Sequence, residues 1–408
     1  MRRLLPREAL FITQYYRPEM IGSGPFCSDL AEWLNQKGYR VTVLTVQPHY
    51  PFGQSFPGYG SDGPAREVLN GVRVERLRSW LPKRGSATSR ILADACFAAT
   101  GLATLLRRQV RRSPLVVSLC PSILGVALGM LARRAGGRHI AVVHDIQSGL
   151  ARGLGMVGSG WLLRLMRWCE KRVLNSVDLV AVLTDEMRQQ LRAAGVTSPI
   201  EVIPIWVDTG RIWPVDILHD RPLTILYSGN LGKKQGLGQI IALAEALRDE
   251  RPDIQIVVRG NGSQAEALKS EIDAKGLKNV RLTDLLPPEH LSRGLAEGDI
   301  HLVPQDPEGA EFAVPSKIFS VMAAGRPFIA TARPGSPLSR LQQMSGAFLC
   351  APPNDANAFA RAVLTLADDA QSRAELGARG RQFVEKNFSK SKVLGDFTSL
   401  IEALYAGH

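Results

Sequence analysis

The chain has 408 residues, 45% of them hydrophobic and 6% aromatic, and a formal net charge of +12. Two domains of roughly 200 residues follow from that length, and so large an apolar share excludes a disordered chain. The five cysteines, an odd number with no Cys-x-x-Cys or Cys/His spacing, exclude a disulfide framework and a zinc module, and predict reduced thiols near the core.

In chain order the first half alternates short apolar runs with helical patterns. Strands are expected at Ala9–Tyr15, Arg40–Val46, Val72–Leu77, Leu115–Leu119, His139–His144, Asp178–Leu183 and Ile200–Ile205. Helices are expected at Gly24–Gln36, Ser89–Arg111, Ser122–Ala135, Trp161–Leu174 and Thr184–Ala194. Gln47–Asn70, rich in Gly and Pro, reads as a long functional connection. The uncharged stretch Leu115–Ala132 is near membrane-spanning length, but Pro121 and Ser122 divide it into a strand and an N-capped helix. No secretory signal is visible, because the apolar run from Ala9 to Tyr16 is only strand-sized.

Trp206–Pro222 has no clear period and reads as a linker. The alternation then restarts, with strands at Thr224–Ser228, Ile254–Val258, Val280–Thr283, Asp299–Val303, Phe328–Thr331 and Ala347–Cys350. Three helical segments close the chain. Strict alternation with apolar strands predicts two α/β domains, each a parallel sheet covered on both faces. The boundaries are residues 1–205 and 206–387, with a final helix in 388–408. Ligands of such sheets sit beyond the carboxyl ends of the strands, and two facing sheets would share a cleft.

Charge is uneven. Residues 1–205 hold 27 Lys+Arg against 14 Asp+Glu; the remainder is close to neutral. That excess points to an anionic partner, or to a merely solvated basic surface. Trp80–Arg112 joins Trp80, an apolar helix and Arg107, Arg108, Arg111 and Arg112. It suits an anionic membrane surface or an ordinary packed helix with a basic end.

Several strand ends carry groups fit for chemistry. Gly22-Ser23-Gly24 opens a helix after the first strand and lets backbone approach a bound group, although it is not Gly-x-Gly-x-x-Gly. His144 and Asp145 end another strand; His144 suits a hydrogen bond to a sugar hydroxyl or help with a proton, and Asp145 a base or an N-cap. Gly229–Gly236 holds Asn230, Lys233 and Lys234 in a glycine-rich turn, and Arg259 ends the next strand inside Arg-Gly-Asn-Gly. Lys234 and Arg259 together would clamp a departing diphosphate, or each alone would be a solvated cation. Glu311 precedes Val314-Pro315-Ser316-Lys317, which caps a short helix; the acid could hold sugar hydroxyls or lie in a surface loop.

Taken in order, Ile205-Trp206-Val207-Asp208, Tyr227-Ser-Gly-Asn-Leu-Gly, Lys234-Gln-Gly and Val314-Pro-Ser-Lys…Met322-Ala-Ala-Gly-Arg-Pro resemble the family-4 retaining glycosyltransferases of the GT-B fold. The resemblance covers nearly the whole chain. It is closest to the colanic-acid and O-antigen sugar transferases, fucosamine transferases among them. It implies two Rossmann-like domains facing across a cleft, a last helix that crosses back to the first domain, and a nucleotide-sugar donor, a UDP-sugar first, in the second. It implies that Lys234 and Arg259 bind the diphosphate, that Gly22, Ser23 and Gly24 approach it, that His144 sits at the donor sugar and that Glu311 is the first acid of the paired-glutamate motif. The loop at Leu285–Leu286 would hold the base.

The chain departs from that pattern at three places. The second glutamate aligns with Ser320, the phosphate arginine with Asn230 and the usual lysine with Gln235. Ser316 or Lys317 would then replace the ribose carboxylate. The expected activity is transfer of a hexosyl or acetamidosugar unit to a saccharide on polyprenyl diphosphate, in capsule or O-antigen synthesis. The protein would sit peripherally on the cytoplasmic face of the cell membrane. No cofactor, metal or nucleic acid is expected, and no Asp-x-Asp motif is present. A nucleotide-sugar epimerase and a non-catalytic anion- or lipid-binding protein remain the alternatives, while the glycine pattern argues against a dinucleotide oxidoreductase.

Overall fold

The computed structural model describes residues 8–19, 23–49, 54–80, 87–120, 122–146, 160–216, 221–232, 235–306 and 314–406. The chain divides into two compact units. One comprises Met1–Pro204 with Leu394–His408, the other Ile205–Val393.

The first unit runs β1 (Glu8–Ile12), α1 (Gly24–Gln36), β2 (Arg40–Val46), β3 (Arg66–Leu69), β4 (Val72–Leu77), α2 (Ala87–Leu106), β5 (Ser113–Cys120), α3 (Ile123–Ala132), β6 (Arg133–Val143), α4 (Gly160–Leu174), β7 (Leu179–Val182), α5 (Asp185–Ala193) and β8 (Ile200–Val202). Its eight strands lie in the order β3-β4-β2-β1-β5-β6-β7-β8. All neighbours are parallel except β3 and β4. Strand interiors such as Leu10–Ile12, Val116–Val117 and Ile140–Ala141 are fully buried, as a sheet covered on both faces requires.

β3 corrects the reading of Gln47–Asn70 as wholly turn-rich. Asn70 (φ 50°) and Gly71 (φ 82°) turn the chain directly from β3 into antiparallel β4. Two consecutive positive φ angles are what an Asn-Gly hairpin turn demands. The helix expected to reach Ala135 instead ends at Ala132. Arg133 is already extended and pairs with Ser113, and the ladder shifts register before Leu115. Ser122 does cap α3: its Oγ accepts from the Gly125 N–H at 3.3 Å.

The second unit runs β9 (Thr224–Ser228), α6 (Gly238–Glu250), β10 (Gln255–Arg259), α7 (Ala265–Ala274), β11 (Val280–Thr283), α8 (Leu291–Ala296), β12 (Ile300–Val303), α9 (Lys317–Ala323), β13 (Phe328–Thr331), α10 (Pro337–Ser345), β14 (Leu349–Ala351), α11 (Ala356–Asp368) and α12 (Ala370–Asn387). The six strands are all parallel, in the order β11-β10-β9-β12-β13-β14. One face packs under α6, α7 and α11 through Ile240, Leu243, Leu268 and Phe359. The other packs under α8, α9 and α12 through Leu295, Ile318, Met322 and Val384. Helix α13 (Lys390–Ala406) begins in the second unit and ends in the first. There Thr398 accepts from the Trp33 indole at 3.0 Å, and the Tyr405 hydroxyl donates to Pro114 O at 2.6 Å.

The segment read as a linker is not loose. Val207 and Ile212 are buried in the second core. Val207 N–H donates to Phe388 O at 2.8 Å, and Lys390 N–H to Val207 O at 2.9 Å. Arg381 on α12 donates to the carbonyls of Ile212 (2.7 Å), Ala323 (2.6 Å) and Thr209 (3.0 Å). One guanidinium thus serves two carbonyls of the irregular segment and the carbonyl of the last residue of α9, groups that have no strand to pair with. We predict that Arg381→Ala lowers unfolding stability by about 2–3 kcal/mol in a denaturant titration, because those acceptors lose their donor without gaining solvent.

Candidate functional site

Sheet order fixes where each unit can hold a ligand. In the second unit the connections run outward from β9 in one direction and from β12 in the other, so the crevice opens at the carboxyl ends of β9 and β12. The turn after β9 is locked to the turn after β10. Gly229 N–H donates to Arg259 O, Leu231 N–H to Asn261 O and Gln264 N–H to Leu231 O, each at 2.9 Å. The two backbones come so close that a Cβ on Gly260 would stand 1.9 Å from Gly229 O. No residue but glycine fits there.

The turn then wraps the end of β9. The buried Tyr227 hydroxyl donates to Asn230 O at 2.6 Å, which curls the chain over the ring. Lys317, the first residue of α9, lays its ammonium over that ring, 3.9 Å from the centroid. The same ammonium is 3.0 Å from where a Gly229 side chain would begin. Its Nζ is buried and has no hydrogen-bond partner among the described residues. Burial lowers its pKa to about 7. Gln305 Oε1, just beyond β12, and Thr283 Oγ1, at the end of β11, are also buried and unpartnered among the described residues. Buried polar atoms are nearly always satisfied, so these atoms near the carboxyl ends of the strands are candidates for contacts with a ligand; Asn279 Oδ1 and Arg326 Nε, before β11 and β13, are unpartnered as well.

Arg259 is placed differently from the sequence expectation. Its guanidinium does not stand free at the strand tip. It is buried, donating to Gly294 O at 2.8 Å and pairing with Glu297, at the carboxyl end of α8. Its Nε lacks a partner among the described residues. Arg259 therefore ties β10 to α8, and among the described residues the unpaired ammonium of this edge is that of Lys317.

The other expected residues fall around this point. Asn230 is exposed, Ser316 is exposed at the N-cap of α9, and Ser320 is half-buried on α9. Leu285 and Leu286 are exposed in the turn after β11, with Leu286 packed on Gly294. Lys234 and Glu311 lie outside the described residues. Gln305 and Thr283 escaped the sequence reading, and Tyr227 entered it only as the first residue of the Tyr227-Ser-Gly-Asn-Leu-Gly motif. Their only signal there is position, at or just past the end of an apolar strand.

In the first unit the sheet order reverses between β1 and β5. Glu19, in the turn after β1, is almost wholly buried. Its carboxylate accepts from the backbone N–H groups of Tyr16 (3.1 Å) and His49 (2.9 Å), and the His49 ring lies 3.7 Å away. It fixes the turn leading to Ser23 and Gly24, which open α1. Gly22 lies outside the described residues. His144, just past β6, rests its ring edge-to-face on Phe26 of α1, with centroids 5.5 Å apart. The fold thus brings His144 to the start of α1. Burial lowers its pKa to about 4, so near pH 7 the ring is neutral and serves as a hydrogen-bonding group. Asp145 is exposed, and its carbonyl accepts from Cys120 Sγ. Glu19 and His49 were not singled out from sequence as a pair, since 30 residues separate them.

The profile of the glycosyl transferase 4-like domain matches residues 22–206, and that of the glycosyl transferases group 1 matches residues 222–369. The chain is a GT-B glycosyltransferase. It is 28% identical to WcaI of Escherichia coli (strain K12), named for a glycosyl transferase of colanic acid biosynthesis, over 94% of this chain and 96% of that protein. Among solved structures, the sucrose-phosphate synthase of Thermosynechococcus elongatus superposes with a TM-score of 0.75 at 20% identity, covering 98% of this chain and 100% of that one. HepE of Anabaena, in complex with UDP-glucose, gives 0.65 at 15% identity, covering 97% and 99%.

In this glycosyltransferase the crevice at β9 and β12 lies within the group 1 domain, and the His144 edge within the 4-like domain. Among the described residues no cluster of His, Cys, Asp and Glu has metal-binding geometry. The close turn pair is the part of the site most open to a stability test. We predict that Gly260→Ala costs about 3 kcal/mol or more in chemical denaturation, since the clash is with a backbone oxygen that cannot rotate away. Gly276→Ala, where a Cβ meets nothing within 4 Å, carries only the strain of its positive φ and costs less.

Proposed function

We propose that this glycosyltransferase moves a sugar, with retention at the anomeric carbon, from a nucleoside diphosphate donor to a lipid-linked saccharide acceptor. The setting we propose is bacterial surface polysaccharide synthesis. The observation that carries the donor assignment is the Lys317 ammonium, buried over Tyr227 with no hydrogen-bond partner among the described residues. Such a group costs free energy unless a ligand supplies negative charge, and a diphosphate at the adjacent glycine turn would supply it. UDP and UDP-glucose are bound by HepE, which shares the fold, and this supports a UDP-sugar as the first donor to try. The relative WcaI supports the polysaccharide setting.

The proposed reaction needs little covalent chemistry from the protein. The bond between the anomeric carbon and the diphosphate oxygen breaks, and the acceptor hydroxyl oxygen attacks from the same face. The departing phosphate takes the acceptor proton. Lys317 neutralises the charge that grows on that phosphate, an interaction stronger in the transition state than in the ground state. Lys234 joins it from the preceding turn, and Arg259, locked to α8, holds the turn backbone in place. Thr283 and the Leu285–Leu286 turn lie at the end of β11 for the base, and Gln305 and Ser320 offer groups to the ribose. His144, neutral, would offer a hydrogen bond to a sugar hydroxyl, and Glu311 would steady positive charge at the anomeric carbon. With side chains supplying the charge, transfer should survive chelation of divalent cations.

The test is calorimetric titration of UDP-, GDP- and dTDP-sugars. One donor should bind, and Lys317→Met should weaken it about 100-fold, the scale of a charge-assisted pair lost at a buried site. Incubation with donor alone should leave it unconverted, whereas an epimerase would convert it. If no donor binds even in large excess, the assignment is wrong.

A further inference from the structure

Helices α2, α3 and α4 form a neighbouring row on one side of the first sheet, with α3 packed between the other two. Their outward residues are not those of a solvated surface. On α2, Leu92, Ala95, Ala99, Leu102 and Leu106 are all exposed, at spacings of three and four, so they form one apolar stripe. On α3, Leu124, Met130 and Leu131 are exposed, and on α4 Leu165 and Trp168, the latter with 62% of its surface free. Single exposed apolar residues are ordinary, but a patch running across three helices needs an occupant.

Charge identifies the occupant. Arg107, Arg108, Arg111 and Arg112 follow the end of the α2 stripe, and all four are exposed. Arg134 stands exposed beyond α3, and Arg164, Arg167, Lys171 and Arg172 are exposed on α4. The three helices contain only two acidic residues, Asp94 and Glu170. Glu170 is buried, and Asp94 accepts from Gln14 at 2.7 Å. Arg108, Arg111 and Arg112 also line a depression of about 370 Å³ together with Arg40, Arg73, Glu8 and Glu75, where Glu8 pairs with Arg40 at 2.6 Å. A second copy of the chain would bring these like charges together. An anionic surface with an apolar interior meets both halves of the pattern. Among the described residues no helix is long and apolar enough to cross a membrane, so the contact is one of lying on the surface.

We propose that the outward face of α2, α3 and α4 docks on an anionic bilayer. Leu102, Leu106, Leu131 and Trp168 enter the headgroup boundary, and the arginines beyond α2 and on α4 contact lipid phosphate. This extends the sequence expectation for Trp80–Arg112 to α3 and α4. It names the surface on which a lipid-linked acceptor would be met, but docking itself needs no donor and no transfer, so its failure and failure of the proposed activity are separate results.

The full chain should co-sediment with phosphatidylcholine vesicles containing about a third phosphatidylglycerol, and not with phosphatidylcholine alone, at about 0.15 M salt. Binding should fall at least tenfold at about 0.5 M salt, where the screening length is roughly halved. Leu106→Ser with Trp168→Ser, and separately Arg107→Glu with Arg111→Glu and Arg112→Glu, should each lose at least tenfold in vesicle affinity at unchanged melting temperature. Should the arginine set unfold, Arg167→Glu alone should still weaken binding severalfold. Absence of vesicle binding by the unaltered chain, equal binding by the folded variants, or a dimer in light scattering that Leu106→Ser with Trp168→Ser splits, would each overturn the proposal.

Discussion

A single ammonium group organises the second domain's functional edge. Lys317 is buried over an aromatic face with no anion beside it among the described residues. Desolvation disfavours the charged form and lowers its pKa to about 7, while the ring face offers the ammonium a favourable contact. The fold accepts this cost at the place where sheet topology opens a crevice. Everything around it is built to keep the crevice in shape. Gly260 lets two turns touch, Tyr227 curls the first turn over itself, and Arg259 bolts β10 to α8. Among the described residues, buried polar atoms near this edge are left unpartnered on Lys317, Gln305, Thr283 and Arg259 Nε, and under the proposed function a ligand completes the first three.

The first domain uses the same topology with the opposite electrostatics. Its switch point carries a buried carboxylate, Glu19, fully used in holding backbone N–H groups, and a histidine kept neutral by burial. Its positive charge lies instead on the outward helices and at the start of the sheet strands. The two domains thus divide the chain's excess charge unequally. Among the described residues, one holds an unpaired buried ammonium at a sheet edge; the other spreads many cations over a surface. The first arrangement suits a small anion held closely, and the second a broad anionic surface held by many weak contacts.

Much of this was legible in the sequence. Strand and helix order followed from apolar runs ending in Gly, Ser or Asn, because both sheets are buried on two sides and most of their interior positions are apolar. β3 was missed although Asn70-Gly71 is a strong hairpin signal, since its exposed residues do not read as a strand interior. The segment after Trp206 lacked periodicity because Arg381, far along the chain, satisfies its carbonyls in place of a partner strand. Arg259 and Lys317 could not be ranked from sequence for a related reason. Each is a cation near a strand end, and only the position of α8 decides that one is paired and the other is not.

The central claim, that an unopposed Lys317 awaits a diphosphate, has a direct thermodynamic signature. With a pKa of about 7 the group is mostly neutral at pH about 8 in the free protein, and an arriving dianion must draw a proton onto it. Titration of UDP-glucose, a dianion whose phosphates do not titrate in this range, at that pH in two buffers of different ionisation enthalpy should report uptake of close to one proton. Uptake should be near zero at pH about 6, and affinity should fall as pH rises between them. UDP-glucose binding at pH about 8 with no proton uptake, or with the same uptake in Lys317→Met, would contradict the account.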